Sequence, residues 1–279
     1  MYIMRICKNN ITDQIRDLFD ANPLRVPEAR IQPLCMLEVH NKKQKYLGEF
    51  KFLVKDGFKH SIHIKTAPVS EVSNVKTKKI DFKIGFDILG NFIKAFGLDP
   101  AAIGASVKGS GKMAFSFGNV IRKYIDTLEL GHILVSNEIK GDSDNIFIAD
   151  ITSKKDVQLA LITDVLISTD FSLSTYKSNE THAEINIPLI QEYLSNIDTK
   201  LTIEKVSENE VKFKGDTPLT YAFTCVEINI DPETGKFSRG QWLDNIRSFN
   251  GTSVSGTEQI KIPKFMLDDN QANPLLIDF

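Results

Sequence analysis

Cysteine is scarce in this chain, and long apolar runs are missing. Cys7, Cys35 and Cys225 are its three cysteines, and they stand far apart. An odd, scattered set argues against a disulfide framework and for a reducing compartment. Cys35 (PLCML) and Cys225 (AFTCVEI) lie in apolar surroundings and read as buried small hydrophobes. No apolar stretch approaches the roughly 18–20 residues that a transmembrane helix needs. The opening MYIMRICKNN lacks the apolar centre and small-residue cleavage site of a secretory signal, so none is expected. Tyr2 follows Met1 where myristoylation requires glycine, and the final LLIDF has no prenylation cysteine.

Catalytic signatures are missing as well. The nearest is SVKGSGKM, residues 106–113. A phosphate-binding loop needs glycine, four residues, then Gly-Lys-Ser/Thr. Ser106 stands where the first glycine belongs, and Met113 replaces the magnesium-binding hydroxyl. The segment also reads as part of an alternating strand, so a nucleotide site is rejected. His60 and His63 have no ligand partner at metal-binding spacing, and HSIH reads as a surface strand. There is no Gly-x-Ser-x-Gly elbow. The lysine-rich stretches lack an aromatic platform or zinc-finger spacing, so nucleic acid is not an expected partner. Neither catalysis nor a metal or other cofactor is expected.

What remains is ordinary globular composition, with 42% hydrophobic and 25% charged residues, enough to bury a substantial core. The net charge of −2 conceals two blocks. Residues 42–123 hold 16 Lys/Arg against 6 Asp/Glu; residues 124–246 hold 10 against 21. Such blocks suit either an anionic surface, such as lipid head groups, or mutual cancellation in the fold.

Along the chain, Ile11, Ile15, Leu18 and Phe19 recur at helical spacing and predict a short amphipathic helix ending at Asn22-Pro23. Leu34–His40 reads as a strand, and Tyr46–Val54 is ambiguous between helix and strand. In KIDFKIGFDI, residues 79–88, Ile80, Phe82, Ile84, Phe86 and Ile88 alternate with polar positions. In residues 105–117, Val107, Met113, Phe115 and Phe117 share one face. Period-two alternation predicts strands with one apolar face. Their length matches the roughly 9–11 residues that cross a bilayer when tilted. A half-buried sheet in a soluble domain reads the same way. Phe92, Ile93 and Phe96 predict a short helix between the two strands.

Val120–Leu134 has helix-like spacing interrupted by Gly131. Strands are expected at 145–151, 157–168, 171–176, 182–187, 201–206, 211–214 and 221–230, with a helix opened by Pro188 and a turn at 231–235. The fold expected is α+β, with a twisted, mostly antiparallel central sheet and surrounding helices. NGTSVSGTEQ, from Asn250, reads as a weakly held connector. The apolar tail beyond it reads either as a detachable peptide or as a last strand. The division expected is 1–250 for the body and 251–279 for connector and tail.

The order of Val26, Pro27, Ile31, Gln32, Pro33, Leu34, Leu47 and Gly48 resembles the opening of bacterial gasdermins. KIDFKIGFDILGNFIKAFG (79–97) and FSFGNVIRKYID (115–126) extend the similarity to about half the chain. The resemblance implies a gasdermin N-domain-like fold held inactive by a short C-terminal peptide. It implies a caspase-like protease that removes the peptide during phage defence. The freed body would leave the cytoplasm for the inner membrane, pass from monomer to homo-oligomer, and open a large β-barrel pore that kills the cell. Cys7 matches by location the family's acylated cysteine, so a palmitoyl-like group is implied there. Buried, the acyl chain would stabilise the resting fold; in the membrane it would favour insertion by roughly 0.8 kcal/mol per CH₂ transferred. Lipid-facing positions would be Ile80, Phe82, Ile84, Phe86, Ile88, Val107, Met113, Phe115 and Phe117. The cut would fall within about 247–262, with Arg247 and Lys261 as basic candidates at its margins. The alternative is a soluble lipid- or acyl-binding module that never inserts.

Overall fold

The computed structural model describes residues 21–40, 43–55, 58, 61–96, 98–139, 147, 157–196, 201–231 and 234–238. The helix expected at 11–19, the strand at 145–151 (Phe147 apart) and the division at residue 250 lie outside them. Among the described residues are eleven strands and four α-helices, and the strand pairings are antiparallel. The α+β class and mostly antiparallel sheet expected from the sequence are what the chain adopts.

Two compact units are woven from three stretches of chain each. The first takes the described parts of Met1–Arg30, Ala67–Arg122 and Leu166–Ala222. The second takes those of Ile31–Thr66, Lys123–Val165 and Phe223–Phe279. Each has its own apolar core. Two long strands, β8 (Val157–Tyr176) and β10 (Glu210–Ile230), contribute to both units.

In the second unit β2 (Cys35–His40) pairs with β3 (Lys43–Glu49) on one side and with the start of β8 on the other. A 3-10 turn at Phe50–Phe52 follows, and Phe50 is fully buried against Phe58 and Phe237. The apolar stretch Tyr46–Val54 is therefore strand and then turn. Cys35 and Cys225 are buried, as their neighbours in sequence suggest. Burial pushes the Cys225 thiol well above its ordinary range, which keeps it protonated and inert. Helix α3 (Thr127–Ser136) buries Leu130, Ile133 and Leu134.

The first unit holds β1 (Asn22–Glu28), α1 (Phe82–Ala95), α2 (Pro100–Ser106), β6 (Lys112–Gly118), α4 (Ile187–Ser195) and β9 (Leu201–Ser207). A two-residue strand, β5 (Ile80–Asp81), pairs with β6. Helix α4 opens at Ile187-Pro188, and Asn186 caps it through Leu189 N–H at 3.2 Å. Four-residue strands β4 (Lys65–Pro68) and β7 (Ile121–Tyr124) pair with each other.

The structure corrects several expectations. Residues 79–88 are not an alternating strand: only Ile80 and Asp81 are extended, and Phe82 opens α1. The sequence carries both periods. Phe82, Phe86, Leu89 and Ile93 also recur at i, i+4, i+7 and i+11, and that longer pattern prevails once a core is there to receive it. Residues 105–117 are likewise not one strand. Asp99 caps α2 by accepting from Ala101 N–H at 2.9 Å, Pro100 takes its first position, and Val107 follows its last. Gly109, with φ of +95°, turns the chain, and extended structure begins at Lys112. The phosphate-loop-like segment is thus a helix end, a turn and a strand start.

Val120–Leu134 divides into β7, whose residues are exposed or half-buried, and α3, which buries Leu130, Ile133 and Leu134. Residues 157–168 and 171–176 form one continuous strand, β8. Residues 182–187 are not a strand, because Lys177 N–H bonds Thr181 O at 2.7 Å and the chain folds back in a turn. The strand at Asn22–Glu28 was masked by Asn22-Pro23, which reads as a stop but is tolerated at a strand start. Residues 61–64 are not in a strand, and His63 is an exposed loop residue bonded to Glu129. The 231–235 turn stands as expected, with Asp231 Oδ1 accepting from Thr234 N–H at 3.1 Å.

Candidate functional site

Helix α1 is a poor helix on its own terms. Its sequence FKIGFDILGNFIKA carries Gly85 and Gly90, three isoleucines and three phenylalanines. Each interior glycine costs about 1 kcal/mol relative to alanine, and the β-branched and aromatic residues add smaller penalties. Asp81, at the N-cap, makes no side-chain cap bond. The helix is therefore held by what it packs on, and a strand-like alternation is left inside it. Such a conflict between local and tertiary preference is what functional or strained sites carry.

The surface beneath α1 is the ribbon of β6 and β8. Their register places Phe115 opposite Leu173, Phe117 opposite Phe171 and Met113 opposite Thr175. Directly opposed residues share a face, so these six side chains line one side. On the other side Ala114 opposes Ser174, Ser116 opposes Ser172, and Gly118 opposes Asp170. One face is large and apolar; the other is small and polar along 114–118, with Lys112 opposite Tyr176 at its end.

Phe92, from α1, seals the apolar face. Its ring lies 4.6 Å from Phe171, 5.6 Å from Phe117 and 5.2 Å from Tyr221. Phe213 stacks on the far side of this group, 4.9 Å from Phe171. Glycines permit the close approach. A Cβ on Gly85 would stand 2.9 Å from the Met113 side chain, and one on Gly104 would stand 2.7 Å from the Phe86 ring.

Seven of the nine positions expected to face lipid fall at this one place in the fold. Ile80, Val107, Met113, Phe115 and Phe117 are buried in its core, and Phe82 and Phe86 pack against it. Ile84 and Ile88 belong to the same helix. The neighbours Phe92, Phe171, Phe213 and Tyr221 were not nominated, because their association depends on long-range pairing. Cys7, Arg247 and Lys261 lie outside the described residues.

Charge is arranged around the same core. Asp170 is fully buried, with Oδ2 2.5 Å from Lys212 Nζ. Gly118 makes room for it, since a Cβ there would meet Oδ2 at 2.4 Å. At the root of the helical excursion Glu180 accepts from Lys112 at 2.6 Å and lies 3.4 Å from Lys79. Hydrogen bonds from Lys112 and Lys79 hold its carboxyl below the usual carboxylate range. Lys76 pairs with Glu210 at 2.6 Å, and Lys65 pairs with Asp126. Lys65, Lys76, Lys79 and Lys112 come from the basic block, and their partners Asp126, Glu210 and Glu180 from the acidic one. To that extent the blocks cancel in the fold instead of presenting one basic face. Lys112, the residue that a nucleotide would need, is engaged by Glu180.

Among the described residues, no group of three or more ligating side chains could hold a metal. No described helix is long and apolar enough to cross a membrane.

Comparison with known proteins agrees with this geometry. A model described as the Bacterial Gasdermin Family matches residues 24–236. A gasdermin bGSDM from Vitiosangium sp. is 28% identical over 212 residues, which cover 75% of this chain and 77% of that protein. A gasdermin bGSDM from a Desulfuromonadales bacterium is 24% identical over 243 residues, covering 86% and 88%. The structure of a bacterial gasdermin from Bradyrhizobium tropiciagri shares the fold, with a TM-score of 0.54 at 11% identity over 78% of this chain and 87% of that one. A family match across most of the chain, on the fold described, places this protein among the bacterial gasdermins, a family of pore-forming proteins.

Proposed function

We propose that this chain is an autoinhibited pore-forming effector. A protease of the caspase-like class removes the C-terminal peptide, residues 251–279. The body then moves from the cytoplasm to the inner membrane, oligomerises and opens a β-barrel pore that kills the cell in defence against phage. Anionic lipids and further copies of the chain are its partners, and an acyl group on Cys7 assists insertion.

The observation that carries this reading is the β6–β8 ribbon with α1 laid over its apolar face. A barrel wall needs one face for lipid and one for water. The ribbon already has that division, in register, with a helix where lipid would be. Its length also argues for a change of state. At about 3.4 Å per residue the seven residues of β6 reach roughly 24 Å, short of a 30 Å hydrocarbon core crossed at a tilt. Unwinding the adjoining helices would supply the missing residues. Two packings of one sequence separated by a few kcal/mol are a recognised kind of switch.

The test is dye release from vesicles containing anionic lipid. A protease site placed within 247–262 makes the cut controllable. Leakage should appear on cutting and be absent before it. A fully cut, folded sample that binds fatty acid yet never permeabilises vesicles would favour the soluble acyl-binding module instead. Cys7→Ala should weaken killing without unfolding the protein, and intact mass should reveal an acyl adduct on material from the native host.

A further inference from the structure

We propose that Glu180 is a latch at the base of the helical excursion. Its single carboxylate ties Lys79 to Lys112, and so holds residues 82–111 in the resting conformation. The consequence at a membrane rests on the pore-forming reading above, but the latch is a property of the uncut chain.

The excursion leaves and returns at one narrow place. Ile80 pairs with Met113 and Asp81 with Lys112, and β5 has no further residues. Phe82 N–H donates to Gly111 O at 3.0 Å, and Gly111 N–H donates to Tyr176 O at 2.7 Å. Both helices between these points pack on the core, and the chain enters and leaves the sheet through that short pairing. Lys79 is the last residue before it and Lys112 the first residue of the return.

The turn after β8 is built to reach them. Glu180 N–H bonds Lys177 O at 2.9 Å, and Asn179 Oδ1 accepts from Thr181 N–H and Oγ1–H at 3.2 and 2.7 Å. Glu180 has φ of +67°, left-handed backbone that glutamate rarely adopts and that an asparagine such as Asn179 would take more readily. The strained residue is the one that makes the contacts. Lys79 Nζ also bonds Glu180 O at 3.3 Å and sits 4.4 Å over the Tyr176 ring. Gly111 presses on Ser178, where a Cβ would come within 2.6 Å of backbone, so the turn and the return strand are in close contact.

An exposed ion pair taken alone contributes little. Here one carboxylate serves two cations on the two sides of a two-residue pairing. Separation of the root must therefore break at least one of these contacts.

Native-state amide exchange on the uncut full chain tests this without a membrane. Glu180→Gln should speed exchange of residues 82–111 by up to about fivefold. Amides of the β9–β10 pairing, residues 201–215, should not change. Raising salt to about 1 M, where the Debye length falls to about 3 Å, should weaken the same contacts and speed exchange there in the unaltered chain. The triple charge swap Lys79→Glu, Lys112→Glu, Glu180→Lys should restore protection. Unchanged exchange over 82–111 in both Glu180→Gln and high salt overturns the proposal. After cutting, Glu180→Gln should shorten the lag before dye release. If the unaltered cut chain never releases dye, the pore reading fails, while the exchange result still decides the latch.

Discussion

Lys212 Nζ lies 2.5 Å from Oδ2 of Asp170, and the two side chains differ in access to water: 27% exposed for the lysine and 1% for the aspartate. The two deletions should therefore cost differently. Lys212→Met strands a carboxylate that cannot reach solvent and should destabilise by about 3–5 kcal/mol. Asp170→Asn leaves an ammonium that can turn outward and should cost about 1–3 kcal/mol. Urea denaturation of both variants settles the order, and the reverse order would refute the account of this pair.

Gly85 and Gly90 occupy the same helix but different spaces. A Cβ at Gly90 would lie 3.5 Å from Pro100, an ordinary contact, whereas at Gly85 it would press on buried Met113 at 2.9 Å. Gly90→Ala should stabilise the resting fold by about 0.4–1 kcal/mol. Gly85→Ala gains the same propensity but loses about 1–3 kcal/mol to overpacking, for a net loss. Thermal melts that move both variants the same way would contradict the packing described.

Phe92 should be the costliest single truncation on α1. Phe92→Ala removes a ring that touches three others and should destabilise by about 3–5 kcal/mol. Phe52→Ala, at a residue 57% exposed, should change stability by less than about 0.5 kcal/mol. After cutting, Phe92→Ala should also permeabilise vesicles sooner, because the apolar face is uncovered at lower cost.

Tyr221 makes the fold sensitive to alkali. Its hydroxyl is buried with no hydrogen-bond partner among the described residues, and burial followed by the nearby Asp170 charge raises its pKa above the ordinary 10.0. In the unfolded chain it ionises near pH 10; in the folded chain it resists. Stability from this group is whole below pH 10 and falls as pH rises beyond it. Tyr221→Phe should reduce that fall and leave neutral-pH stability equal or up to about 1 kcal/mol higher. A steeper alkaline loss in the phenylalanine variant would count against it.

Much of the site was legible before the fold. The apolar positions Met113, Phe115 and Phe117 share a face as their alternation requires, and they lie in one core. The helix at Phe92–Phe96, the capped start at Pro188 and the turn at Asp231 were legible for local reasons: periodicity, proline geometry and side-chain bonding to the backbone. Residues 79–88 were misread because two periods coexist there. Glu180 escaped notice altogether. Nothing in SNETH signals that its one carboxylate meets lysines 68 and 101 positions away.

By itself the sequence determined that no apolar run is long enough for a membrane-spanning helix, that strands with one apolar face are present, and that the charge falls in opposed blocks. Those follow from composition and from spacing along the chain, which do not depend on what lies opposite. Tertiary structure alone decided that Phe82–Ala95 is helical, that the β6–β8 ribbon is covered by Phe92, and that four basic-block lysines find acidic partners. Local preference in α1 is nearly balanced, so the conformation is chosen by which apolar surface is available to bury it.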